Sequence, residues 1–306
     1  MRPFLKWAGG KRWLADREEL PSLAKFDRYI EPFLGSGAIY FHSMPKSAVL
    51  SDVNEELVEL YNVMKDSHCE LYERMCVHHA SHNKEYYYRI RSERPLDRID
   101  RASRFLYLNR TCFNGLYRVN LKGEFNVPIG TKASVIFPGE DFITYASALS
   151  SAEIIVQDFE VTLDGCGFGD VAFIDPPYTV MHNANGFIKY NENLFKWSDQ
   201  VRLRDSVERA TKRGCAIIMT NADHQSVRDL YKDILEYSSV SRRSVLSGSP
   251  NARGTTTEAM LTFGVDWSAA EPKAVDEPAT ASEIEGDDLL RGTAYSGSRE
   301  FPAAMP

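Results

Sequence analysis

The stretch from Tyr29 to Asp52 constrains the fold more than any other. Tyr29-Ile30-Glu31-Pro32-Phe33 reads as the end of a buried strand. Leu34-Gly35-Ser36-Gly37 is a tight turn, and Ala38-Ile39-Tyr40-Phe41 opens a helix. Ala48-Val49-Leu50 is a second short strand that ends at Ser51-Asp52. A strand, glycine turn, helix and strand in this order form a β-turn-α-β unit, the opening of a Rossmann-like sheet. The turn is similar to the G-x-G-x-x-G fingerprint, but Tyr40 stands where the third glycine belongs. A pyrophosphate site normally has that glycine, so a nucleoside ligand without pyrophosphate suits the turn better. Asp52, at the end of the second strand, is placed to accept two ribose hydroxyls. The alternative for Asp52 is a helix N-cap.

Further along, Glu153–Val156, Val171–Ile174, Ala216–Met219 and Glu258–Phe263 read as strands, and Val201–Lys212 as a helix. This alternation predicts a mostly parallel α/β sheet with helices on both faces. The block between is helical, over Glu55–Lys65, Lys84–Arg94 (stopped by Pro95) and Asp97–Asn109. Phe113-Asn114-Gly115 and Leu121-Lys122-Gly123 then signal turns, so 112–131 reads as a projecting hairpin loop. The expected organisation is a sheet domain from 1–54 and 138–266, an inserted helical domain at 55–137, and a tail at 267–306. The tail is rich in small residues and acids, and is expected to be disordered.

A net charge of −7 argues against a nucleic-acid partner until its distribution is considered. From Asp266 onward nine acids oppose three bases, a net of −6. Positions 89–132 hold ten bases against four acids, a net of +6. That island is a candidate phosphate-binding face, with a solvated helix face as the alternative. The five scattered cysteines form no C-x-x-C pair, which fits a reducing compartment. Cys69, Cys76, His78, His79 and His82 cluster, but at no common zinc spacing, so no metal is expected. No apolar run approaches the ~20 residues that span a bilayer. With no apolar leader at the start, the expected location is the cytoplasm, beside the nucleoid.

Asp175-Pro176-Pro177-Tyr178 follows the apolar strand ending at Ile174. The crevice beyond the carboxyl ends of parallel strands is where ligands bind in such sheets. Two prolines fix the backbone and remove two donors, which leaves carbonyl oxygens facing the crevice. Asp175 adds a carboxylate and Tyr178 an aromatic plate. An exocyclic amino group on a base is a poor nucleophile because its lone pair is delocalised into the ring. Two acceptors aimed at its protons, Asp175 Oδ and the Pro176 carbonyl, favour the developing tetrahedral nitrogen over the flat one. Tyr178 would stack on the base and hold it in line. A plain turn after a strand is the simpler reading of the same four residues.

Phe4-Leu5-Lys6-Trp7-Ala8-Gly9-Gly10-Lys11 resembles the opening motif of the Dam-type, alpha-group DNA adenine-N6 methyltransferases. Glu31–Gly37, Asp52, Tyr107-Leu108-Asn109-Arg110, Asn114–Pro128 and Asp175–Tyr178 resemble that family in the same order, from Phe4 to about Phe263. The resemblance implies an enzyme that uses S-adenosylmethionine on adenine in duplex DNA, within GATC. It implies that Trp7, Lys11, Phe33, Gly35, Asp52 and Asp175 bind the cofactor, and that Asp175, Pro176 and Tyr178 are catalytic. It makes 55–137 the target-recognition domain. There Lys6 and Arg118 match guanine-reading positions, with Leu116 beside them. Phe113 matches an aromatic wedge next to a flipped base, with Asn114 beside it, and Arg110 is expected at DNA. Thr111-Cys112-Phe113 and Pro250–Arg253 depart from the family pattern. N4-cytosine methylation, an RNA or protein amide substrate, and a non-catalytic DNA-binding role remain as alternatives. The lack of any Pro-Cys pair argues against a cysteine-dependent C5 transfer.

Overall fold

The computed structural model describes residues 1–15, 23–120, 122–180, 195–243 and 255–265. Seven strands form one sheet: β1 (Arg28–Glu31), β2 (Ala48–Asp52), β3 (Ala152–Val156), β4 (Asp170–Ile174), β5 (Ala216–Ala222), β6 (Glu236–Arg243) and β7 (Thr255–Phe263). Their order is β3-β2-β1-β4-β5-β7-β6. The first five pair in parallel, and β7 pairs antiparallel with both β5 and β6. This is the Rossmann-like methyltransferase sheet that the sequence predicts. Glu258–Phe263 does not close it, however. The edge strand is β6, whose sequence Glu-Tyr-Ser-Ser-Val-Ser-Arg-Arg offers little apolar alternation to detect. Polar edge strands of this kind also resist unwanted pairing.

Alternate residues of each strand feed opposite apolar layers. On β4, Val171 and Phe173 enter the layer shared with the helices α2 (Ala38–Ser43), α3 (Glu55–Asp66) and α6 (Arg98–Thr111). Ala172 and Ile174 enter the other layer, under α8 (Phe159–Asp164), α9 (Trp197–Lys212) and α10 (Gln225–Tyr231). A strand buried on both faces has no need of polar alternation, and β4 has none.

The remaining α-helices among the described residues are α1 (Arg12–Ala15), α4 (His68–Ser81), α5 (Lys84–Ser92) and α7 (Phe142–Leu149). Helix α5 ends two residues before the expected Arg94 because the residue preceding Pro95 is held out of the helical region. Helix α3 packs on β2 and β3 as well as on α6. Met1–Ser268 accordingly form one compact unit. The tail at 267–306 lies outside the described residues, as do Pro250–Arg253.

Most of the basic island faces solvent, and two of its ten bases, Arg104 and Arg110, turn inward and are buried. Arg104 donates from Nε and Nη2 to the carbonyls of Ile90 (2.9 Å) and Arg91 (2.7 Å), closing the C-terminus of α5. Arg101 pairs with Glu59 and Arg89 with Glu93. Arg89, Arg94, Arg98, Arg118, Lys122 and Lys132 are exposed. The Cys/His cluster is dispersed along α4. There His78 stacks on Tyr107 at 4.7 Å, and burial depresses its pKa to about 4. Among the described residues no group of three His, Cys, Asp or Glu is arranged to hold a metal. No helix among them is long and apolar enough to cross a membrane.

Candidate functional site

The chain runs outward from β1 to β2 and β3, then returns to β4 and β5 on the far side of β1. The crevice therefore opens between the carboxyl ends of β1 and β4, where this topology places ligands. Glu31 ends β1, and Asp175 directly follows β4. Glu31 is buried, accepts a hydrogen bond from Tyr29 Oη at 2.9 Å, and feels the charges of both Asp175 and Asp52. Burial pushes its carboxyl well above the usual range.

On the β1 side, Gly35 and Gly37 take left-handed conformations at φ 48° and 61°. Gly35 N donates to Asp52 Oδ2 at 3.2 Å, and Asn54 N donates to Asp52 Oδ1 at 3.0 Å. The α3 N-cap is Asn54, whose Oδ1 accepts from Leu57 N. Asp52 thus ties the strand end to the glycine turn. Burial raises its pKa, against the pull of the Asn54 and Gly35 amides. Beneath the turn Tyr61 Oη donates to the Gly35 carbonyl at 3.2 Å. A Cβ on Gly35 would stand 2.8 Å from Trp7 Cδ1. We predict that Gly35→Ala, which meets both that clash and a positive φ, destabilises the protein by ~1–3 kcal/mol, the cost of strain at such a position. Urea unfolding measures it, and a wild-type midpoint would show that the turn tolerates a side chain. Phe33 turns to the other side and stacks on Phe159 at 5.4 Å.

On the β4 side, Asp175 Oδ1 lies 2.9 Å from Lys11 Nζ and accepts from Thr220 Oγ1 at 2.6 Å. Lys11 is almost fully buried. Its ammonium also donates to the Gly9 carbonyl at 2.7 Å, lies 3.7 Å from Glu258 Oε2, and sits 4.9 Å over the Tyr178 ring. Tyr178 Oη donates to Glu258 Oε2 at 2.8 Å. Burial raises the Asp175 pKa, while Lys11 and Thr220 oppose it. Pro176 is buried and Tyr178 half-buried. Lys11 thus joins Asp175 to Tyr178, with Thr220 and Glu258 completing the group. The sequence reading missed both of those. Glu258 had a signal, as a lone carboxylate within a strand that is otherwise apolar or threonine-rich. Thr220 had none.

The second constellation surrounds the hairpin. Cys112 bridges to Ile129 and Val119 to Phe125, so the expected hairpin is present in outline. Phe113 is about half exposed, and Asn114, Leu116 and Arg118 are exposed beside it. Asn114 sits at φ 57°, a conformation Asn tolerates better than most residues. Arg118 Nε donates to Asn126 Oδ1 at 2.8 Å, which aims the guanidinium. Lys6 lies against Gly115, and its neighbour Lys132 holds its pKa down to about 8. The two constellations join where Trp7 stacks on Tyr117 at 5.4 Å.

Arg110 does not belong to this face. Its guanidinium pairs through two contacts with Glu140, and donates to the carbonyls of Val135 and Phe4 at 2.9 and 2.8 Å. A side chain so enclosed cannot reach a phosphate. Its neighbour Asn109 grips Lys6 at both backbone groups, at 3.0 and 2.7 Å. The Asn109-Arg110 pair is therefore a clamp on the N-terminal motif.

The family model for D12 class N6 adenine-specific DNA methyltransferases matches residues 7–245. The chain belongs to this family. Among curated relatives it is 35% identical over 271 residues to the type II methyltransferase M1.LlaDCHI of Lactococcus lactis subsp. cremoris. That match covers 86% of this chain and 95% of the relative. It is 34% identical to the type II methyltransferase M.MjaIII of Methanocaldococcus jannaschii, over 72% of this chain and 84% of the relative. It is 32% identical to the DNA adenine methylase of Escherichia coli K12, over 80% and 90%. This methyltransferase therefore acts on adenine in DNA.

Proposed function

We propose that this methyltransferase moves the methyl group of S-adenosylmethionine to N6 of an adenine flipped out of duplex DNA, within GATC. The observation that carries the reading is the convergence of Lys11, Asp175, Thr220, Tyr178 and Glu258 at the crevice between β1 and β4. The glycine turn fits the cofactor, because the backbone at Gly35 comes against Trp7 with no side chain between them. Trp7, Lys11, Phe33, Gly35, Asp52 and Asp175 would hold it, with Asp52 available to ribose hydroxyls. When bound, the cofactor supplies an electrophilic methyl group. Asp175 and the Pro176 carbonyl accept from the adenine amino group as its nitrogen loses planarity. Tyr178 stacks on the base, which must leave the helix to reach the crevice. Phe113 and Asn114 fill the space it leaves. Lys6, Leu116 and Arg118 read the flanking bases, with Arg118 bidentate to a guanine.

Sequencing with modification detection tests this on plasmid DNA from a methylation-free host expressing the protein. N6-methyladenine confined to GATC is expected. Methylation at another motif overturns the reading of Lys6, Leu116 and Arg118. No modified base from a folded protein overturns the reaction. In the same experiment, Arg118→Ala is expected to spread methylation to sites differing at one base. Loss of a bidentate contact weakens discrimination by ~1–3 kcal/mol. An unchanged motif removes Arg118 from the readout.

A further inference from the structure

Glu258 is a carboxylate only 4% exposed, in a strand whose next three residues, Ala259, Met260 and Leu261, are all buried and apolar. Burying a charge is costly unless it is paired, and an apolar side chain would stabilise such a position better. What the carboxylate does there is hold two other groups. Oε2 accepts from Tyr178 Oη at 2.8 Å and lies 3.7 Å from Lys11 Nζ. Lys11 in turn bridges to Asp175 and covers the Tyr178 ring. The Tyr178 ring is therefore tethered at its hydroxyl and covered by a cation on one face.

The strand that carries the tether is itself held. Glu258 pairs with Ala222 of β5 on one side and Val240 of β6 on the other. Asp223, the residue after β5, accepts from Ser239 Oγ at 2.6 Å and from Tyr237 Oη, both on β6. This cross-link joins the strands on either side of β7 next to Glu258.

We propose that Glu258 is a positioning residue for methyl transfer, setting the Tyr178 ring as the plane on which the target base stacks and sharing Lys11 with Asp175. The proposal rests on the role given above to Tyr178. Lys11 keeps its closer partner Asp175 when Glu258 is lost, so the loss falls on alignment of the base through Tyr178 and not on retention of the cofactor. Misplacement by about 1 Å can slow a reaction ~100-fold.

The test uses the full chain, a duplex that the wild type methylates, and single-turnover rates with a cofactor KM for each variant. Glu258→Ala is expected to lower the rate by about 10- to 100-fold with the cofactor KM changed less than about twofold. Glu258→Gln keeps an oxygen acceptor for Tyr178 and is expected to recover the rate to within about threefold. Tyr178→Phe is expected to lose about as much as Glu258→Ala, and the double variant no more than either, since both remove one contact. Multiplying losses in the double variant, an effect on the cofactor KM alone, or a wild-type rate in Glu258→Ala each overturns the proposal. Should Glu258→Ala not fold, a slow Glu258→Gln or a wild-type-fast Tyr178→Phe overturns it. A wild type that methylates no duplex overturns the function and this proposal together. An active wild type matched by Glu258→Ala overturns this proposal alone.

Discussion

Replacing Asp175 with alanine is expected to abolish measurable methyl transfer while duplex binding stays close to wild type. Asp175 presents a carboxylate whose Oδ1 is already oriented by Lys11 at 2.9 Å and Thr220 at 2.6 Å. It needs no reorganisation when the adenine amino group arrives. Acceptors fixed in advance, in a site that excludes water, contribute most where charge or geometry changes during the reaction. Removing one such group typically costs ~10²–10³ in rate, or ~2.7–4 kcal/mol. Here it also removes the partner of a buried ammonium, so Lys11 would be left to Glu258 and move toward it. The loss should therefore lie at or beyond the upper end of that range. Asp175→Asn keeps one acceptor and should retain more activity than the alanine variant. Asp175 is held by Lys11 and Thr220, neither of which lies on the hairpin face with Phe113, Leu116 and Arg118, so DNA affinity is expected to hold. Single-turnover transfer of a labelled methyl group, with fluorescence anisotropy of a duplex, separates the two effects. Wild-type transfer by the alanine variant would remove Asp175 from the chemistry. Loss of transfer and binding together would point to misfolding.

The parts of the fold legible in the sequence are those with local signals. The glycine turn at Gly35 and Gly37 is visible because left-handed backbone selects glycine, and both sit at positive φ. Strands β4 and β5 are visible because burial on both faces writes a continuous apolar run. Helix α6 begins where its N-cap Asp97 says it should. What stayed hidden depends on contacts distant in sequence. Strand β6 is polar, and pairs only because β7 lies beside it. Helix α4 is weakly amphipathic and reads as a polar segment. Thr220 and Glu258 acquire meaning only when the sheet brings β5 and β7 beside the end of β4. The burial of Arg104 and Arg110 stayed hidden for a related reason. Residue counts record charge but not burial, and the planar guanidinium suits buried pairing with carbonyls and carboxylates.

Arg110 makes that difference measurable. If it contacted a phosphate, its loss would weaken DNA binding, lower the salt dependence of affinity by about one unit of slope, and leave stability unchanged. The structure predicts the reverse. The guanidinium is 2% exposed and its partner Glu140 5% exposed. The ring of Phe137 lies 4.9 Å away and that of Phe142 5.8 Å. Cutting one member of a buried pair leaves the other charge without compensation, which costs ~3–5 kcal/mol. Glu140→Ala is therefore expected to destabilise the protein by about that amount, seen as a lower urea midpoint with an unchanged slope. The same substitution frees the Phe4 carbonyl's partner to move, and so loosens the segment carrying Lys6, Trp7 and Lys11. Replacing Arg110 and Glu140 together by methionine and leucine removes both charges and should restore most of the lost stability, because apolar packing can substitute for a buried pair. DNA affinity of the double variant should then show the wild-type salt slope. A reduced slope in a stably folded double variant would return Arg110 to the DNA face, and an unchanged urea midpoint in Glu140→Ala would show that the pair contributes nothing to holding the N-terminal motif in place.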